Sequence, residues 1–191
     1  MPANLSLQAV AGTNCPKTAG VKELYTIKVE DLPTIELGSD HDITNLVFAN
    51  AGNGFGQINF KRGECEVTES MERSNEVNVN FSVANPTSTQ RKELTAIKNA
   101  CEQYMVARLY DDDRLLFIGY DEESLEEGFV SFASFESTSG RAKTDDNLFS
   151  MTMMADQGEP LRVLSGISGA SPSPATTTAE IIAELKAATS V

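Results

Sequence analysis

A single histidine, His41, stands in Ser39-Asp40-His41-Asp42, and it is the first residue to weigh as a base or a metal ligand. Neither role finds partners. The chain has no Cys-x-x-Cys, no second histidine and no His-x-x-x-His, whereas a metal centre needs several donors at ligand spacing. A surface loop histidine is the expectation. The three cysteines, Cys15, Cys65 and Cys101, are odd in number and far apart. That is no disulfide framework, and it suits a reducing compartment. Cys65 and Cys101 fall on apolar stripes and are expected to be buried as small hydrophobes. Cys15 precedes Pro16 in a loose segment and is expected to be accessible. A thiolate nucleophile needs a base beside it, and the composition offers little to serve one.

Two other stretches invite a chemical reading. Asp111-Asp112-Asp113 lacks the alternating Asp-x-Asp-x-Asp-Gly pattern and distal Glu of a calcium loop, so it reads as a solvated hairpin turn. Gly52-x-Gly54-x-Gly56 has strand-like sequence on both sides, whereas a phosphate cradle needs a helix N-terminus after it. A hairpin connection is the expectation there. The pattern therefore predicts no catalytic residue, no metal and no cofactor.

The elements that would position any site are mainly strands. Tyr25, Ile27 and Val29 alternate with Thr26 and Lys28. Ile58 and Phe60 follow the glycine-rich segment. Then come Cys65, Val67 and Met71, with Glu66, Thr68 and Ser70 facing away. The strictest alternation is Val77, Val79, Phe81 and Val83 against Asn78, Asn80 and Ser82. Such a strand has one dry face and one that is wet or bound to a partner. The period then changes. Asn85-Pro86 and a Thr87–Gln90 capping box open a helix predicted over about 87–103, with Leu94, Ile97, Cys101 and Tyr104 as its stripe.

Strands resume over 105–110, 115–119, 129–135, 148–155 and 161–164. In the fourth of these, Met151, Met153 and Met154 are expected to fill core, although Phe149, Met151 and Met153 would also make an adaptable face for a neighbouring subunit. Residues 1–22 read as an N-terminal arm, 23–164 as the β domain, and 165–191 as a linker ending in a short helix. That helix opens on a second capping box, Thr177 to Glu180, and carries Ile181, Ile182 and Leu185. It is too short to be stable alone in water and must dock on its own domain or on a neighbour. The fold class expected is mainly β (α+β): a sandwich or barrel with one packed amphipathic helix and flexible terminal arms.

Charge narrows the function. Fifteen Lys plus Arg against 28 Asp plus Glu give a net charge of −13 over 191 residues. A phosphate-neutralising basic surface is disfavoured, as is attraction to an anionic membrane. The N-terminus lacks the layout of a signal peptide, and no apolar run approaches the length of a membrane span, so a soluble protein is expected.

Several strands, one helix at about 87–103, and strands closing in a final hairpin resemble the tail tube protein of long-tailed phages and the related type VI secretion tube. The Ser139-Gly140-Arg141 turn, Asn147-Leu148-Phe149-Ser150-Met151-Thr152 and Gly158-Glu159-Pro160-Leu161 carry the likeness, which spans roughly 23–164. The segment 165–191 departs from that pattern. The resemblance implies a virion structural subunit, assembled in the host cytoplasm, that closes into rings, usually hexamers, stacked as a channel for DNA. Its partners would be copies of itself and other virion proteins, with DNA passing without specific binding. It further implies that Asn50, Gly52, Asn53, Gly54, Phe55 and Gly56 form an inter-ring loop, and that Glu66, Glu69 and Glu72 are candidate lumen acids. The alternatives are another virion component (tail terminator, head–tail connector or capsid decoration protein) or a β-rich host-binding module.

Overall fold

The computed structural model describes residues 20–32, 34–39, 42–49, 54–60, 62–71, 75–110, 113–122, 128–138, 147–167 and 175–187. The strands are β1 (Val21–Lys28), β2 (Thr34–Leu37), β3 (Ile43–Val47), β4 (Gly56–Ile58), β5 (Cys65–Met71) and β6 (Asn75–Ala84), followed by β7 (Gln103–Leu109), β8 (Leu115–Ile118), β9 (Ser131–Thr138), β10 (Leu148–Gln157) and β11 (Arg162–Val163). Helix α1 spans Ser88–Asn99, helix α2 spans Thr178–Ala187, and Val29–Asp31 forms a single 3₁₀ turn.

A five-stranded antiparallel sheet, ordered β11-β8-β7-β1-β4, lies at the centre. Both its faces are apolar, which is why Tyr104-Met105-Val106-Ala107 and Leu115-Leu116-Phe117-Ile118 read as continuous hydrophobic runs. One face, through Leu24, Met105, Ala107 and Ile118, meets the four-stranded sheet β5-β6-β10-β9. From that sheet Val77, Val79, Phe81, Met151 and Met153 fill the space between. The opposite face, through Tyr25, Ile27, Val106 and Phe117, is covered by Ile43 and Leu46 of the β2–β3 hairpin and by Ile181, Ile182 and Leu185 of α2. The arrangement is a sandwich with a third layer and no closed barrel, so the barrel alternative falls.

The C-terminal segment also differs from a flexible arm. Its capping box forms, with the Thr177 N–H donating to Glu180 Oε2 at 3.2 Å and the Glu180 N–H donating to Thr177 Oγ1 at 3.3 Å. Burial of Ile181, Ile182 and Leu185 stabilises the docked helix by about 1.5–3 kcal/mol per side chain, which a free ten-residue helix lacks. The approach to it is tight: a Cβ at Gly166 would lie in the Thr44 carbonyl group of β3. An ion pair closes the joint. Glu23 accepts from Lys186 Nζ at 2.6 Å and from Arg108 Nη1 at 2.7 Å, tying α2 to β1 and β7. Residues 1–19 of the predicted N-terminal arm lie outside the described residues.

Helix α1 begins as predicted, on a complete Thr87–Gln90 capping box. It ends four residues early. The buried Gln103 side chain donates from Nε2 to the carbonyls of Ile97 (2.8 Å) and Ala100 (3.3 Å), so a strand residue satisfies the helix end. Gln103 Oε1 in turn accepts from the Thr26 hydroxyl at 2.8 Å. Tyr104 therefore belongs to β7, and Cys101 is exposed in the connection, contrary to its expected burial. Cys65 is buried as expected, and desolvation pushes its thiol up to about 12.

Two outcomes follow. With a maleimide reagent at neutral pH, Cys101 should label rapidly in the folded protein and Cys65 only on unfolding; slow labelling of Cys101 would contradict the early helix end. The second concerns α2. Burial pushes the Glu23 carboxyl up, but the Lys186 and Arg108 hydrogen bonds outweigh it and hold the group below its ordinary 4.5. The Thr177 hydrogen bonds lower Glu180 likewise. Lowered carboxyls contribute stability that is full above the unfolded value and is lost as pH falls through the folded one. Hydrogen exchange of the α2 amides should therefore accelerate, relative to intrinsic rates, as pH drops below about 4.5. Glu23→Gln with Glu180→Gln should flatten that dependence, and an unchanged slope in the double variant would contradict the assignment.

Candidate functional site: the outer face of the four-stranded sheet

The sheet β5-β6-β10-β9 turns one face to the core and the other outward. Its registry fixes what the outer face carries. Glu66 lies opposite Asn80, Asn80 opposite Thr152, and Thr152 opposite Ser134. The neighbouring rows join Ser82, Ser150 and Glu136 on one side, and Thr68, Asn78, Met154 and Ser131 on the other. A last row holds Ser70, Glu76 and Asp156.

Short polar side chains across these rows bind one another. Thr152 Oγ1 donates to Asn80 Oδ1 at 2.8 Å, and Asn80 Nδ2 donates to Glu66 Oε1 at 3.3 Å, a relay across three strands. Ser82 and Ser150 hydroxyls meet at 2.9 Å, and Asn78 Nδ2 donates to Glu76 Oε1 at 2.8 Å. Four carboxylates, Glu66, Glu76, Glu136 and Asp156, stand on this face, and no Lys or Arg occupies any of these strand positions. The surface is polar, negative and pre-ordered by its own ladder.

The predicted lumen acids divide. Glu66 is on this face. Glu69 is not: with an odd offset from Glu66 it shares the side of Cys65 and Val67, and its Oε1 accepts from the Leu161 N–H at 3.0 Å. Three residues along a strand reverse the face, so these two acids cannot line one surface. Glu72 lies outside the described residues. Glu76, Glu136 and Asp156 are the acids that the sequence reading missed. Strand parity would have found Glu76, since it precedes Val77 in the strictest alternation.

Phe55 also departs from its expected place. It is fully buried, its ring 6.1 Å from that of Phe48 in an edge-on contact, and Gly56 opens β4. Neither projects as an inter-ring loop would; Asn50, Gly52 and Asn53 lie outside the described residues, as does His41. Met151 and Met153 are buried core, which removes them from any neighbour-facing surface, and Phe149 is half-buried beneath Arg91 of α1.

The remaining polar clusters have structural partners. Asp113 is held by Lys22 (3.2 Å) and by Arg108 (3.0 Å). Buried Arg162 is tied to Glu122 at 3.0 Å and to Glu159, with its guanidinium over the Tyr120 ring. Asp121 accepts from the Gly158 N–H at 2.8 Å, and Gln157 Nε2 donates to the Tyr120 carbonyl at 2.7 Å, so this cluster clamps the segment that follows β8 to the end of β10. Among the described residues no group of His, Cys, Asp and Glu could hold a metal ion, and no helix is long and apolar enough to cross a membrane. No family model, curated protein or solved structure matches this chain.

The acid row carries a stability cost. Asp156 and Glu76 are directly opposed like charges on adjacent strands, a destabilising pair. Asp156→Asn should therefore raise the stability of the isolated protein by about 0.2–1 kcal/mol, read from the denaturant midpoint. A lower midpoint would show that Asp156 serves folding, not the surface.

Proposed function

We propose that this chain is a virion structural subunit of the tail tube type, which self-associates into rings and tubes whose channel is lined by the outer face of β5, β6, β10 and β9. The observation that carries the reading is the composition of that face: four carboxylates among Ser, Thr and Asn, with Met154 as its one apolar side chain in these rows and no base at any of its strand positions. Such a wall offers DNA phosphates no counterion to replace and so lets a duplex slide.

The edges of the same sheet support self-association. Strand β9 is its terminal strand and is exposed from Ala133 to Thr138, with Glu136 as the one charge and no proline. Monomeric proteins commonly blunt such an edge with lysine, proline or a covering segment. Left open, β9 and the opposite edge, β5, would let neighbouring copies continue the sheet around a ring. The virion is then the place of action, and DNA is cargo, not a bound ligand.

The test reverses charge where the face is wet. Glu66→Lys with Glu76→Lys should leave assembly intact while giving the protein measurable, salt-sensitive affinity for duplex DNA, weakening at least about tenfold between 50 and 200 mM salt. Wild-type protein should show no binding over that range. Normal DNA passage through assemblies of the double variant would contradict the channel assignment.

A further inference from the structure

Helix α1 exposes Arg91, Lys92 and Lys98 in a chain whose net charge is −13. Elsewhere Lys22, Lys28, Arg108, Arg162 and Lys186 each meet a carboxylate. Arg91 and Lys98 lie over rings instead. The Arg91 guanidinium is 4.8 Å from the centroid of Phe149, and Lys98 Nζ is 5.3 Å from that of Phe132 and 5.9 Å from that of Phe135. Phe135 meets Phe149 edge-on at 5.2 Å and is still 39% exposed. Both phenylalanines of β9 share the rows of Met151 and Met153, the side of the sheet opposite the acid face. Beside them runs the open edge of β9. A large exposed aromatic under an ammonium that no described carboxylate neutralises is one half of a contact.

We propose that this cation-capped aromatic edge receives strand β5 of a second copy, with Glu69 of that copy pairing with Lys98; the inference rests on the ring reading above. Strand parity selects the acid. Neighbouring strands of the sheet alternate in direction from β5 to β9, so copies related by rotation would join β9 to β5 antiparallel, with like faces continuous. Over positions 65–70, Cys65, Val67 and Glu69 then fall on the α1 side whatever the register, and Glu69 is the one acid among them. Glu66 falls on the other side, with Glu136. Adjacent strands lie about 4.8 Å apart, within reach of a lysine standing over Phe135. Glu69 is exposed, and the Leu161 N–H occupies only its Oε1, which leaves Oε2 for the neighbour. Half-buried Val67 supplies an apolar counterpart for Phe135. Bases at one edge and an acid at the other also give the joint a direction, favouring β9 on β5 over either edge on itself.

The test is a charge swap in trans on the full-length chain. Lys98→Glu and Glu69→Lys are made singly, and association is followed by sedimentation velocity. Each variant alone should need at least about a tenfold higher concentration than wild type to associate, because like charges then meet in the joint. An equimolar mixture should associate in the wild-type range, since the reversed edge of each variant meets its complement on the other. Glu69→Gln keeps an acceptor for the Leu161 N–H, so it should weaken association while leaving the denaturant midpoint unchanged. Association of Lys98→Glu at the wild-type concentration, or no recovery in a mixture of the two folded variants, would overturn this pairing and leave the ring reading standing. A wild-type protein that stays monomeric at every concentration would overturn both.

Discussion

The structure depends on a central sheet that is apolar on both sides. Strand β1 shows the constraint in one segment: Leu24 faces one layer and Tyr25 and Ile27 the other, all nearly inaccessible to water. A sheet of this kind cannot exist with either face open, since each large side chain left in water forfeits about 1.5–3 kcal/mol. The four-stranded sheet answers one face. The β2–β3 hairpin and α2 answer the other, which makes the C-terminal helix a required part of the core. The Glu23 bridge to Lys186 and Arg108 fixes where that helix sits, and it joins three elements remote in sequence.

Because the central sheet takes two partners, the four-stranded sheet takes only one. Its second face stays wet, and its residues are free of any packing demand. What occupies that freedom is informative. A face chosen for stability alone would place opposite charges across its rows; here Glu76 faces Asp156, and Glu66 is ordered by Asn80 without a neighbouring base. The carboxylates make sense as a surface property, expressed toward whatever passes or packs there. The same sheet's open edges at β5 and β9 are the places where that surface could be continued by further copies.

Much of this was legible in the sequence where one rule acted alone. The alternation from Val77 to Val83 fixed β6 and both its faces, and Thr87 with Gln90 fixed the start of α1. Legibility failed where two periods met. The 3-4-3 spacing of Leu94, Ile97, Cys101 and Tyr104 continues a helical stripe on paper, but the helix is ended by a long-range contact, the Gln103 amide on the carbonyls of Ile97 and Ala100. No local glycine or proline announces that end. Nearness in sequence groups Glu66 with Glu69, but strand parity separates them. The β2 strand, Thr34–Leu37, went unread because four residues after a proline carry too little pattern; its partner β3 supplies the evidence for it. Phe55 looked like loop because its neighbours are Gly and Asn, and only the tertiary pocket beside Phe48 reveals it as core.

In the proposed assembly the outer face of β5, β6, β10 and β9 surrounds a channel. Electron cryomicroscopy of the protein assembled at high concentration, or within its particle, tests this most directly. The expected result is a ring or tube in which Glu66, Glu76, Glu136 and Asp156 point to the axial space and β9 lies against β5 of the next copy. An assembly with that face turned outward or packed against another subunit, or a protein that stays monomeric throughout, would contradict it.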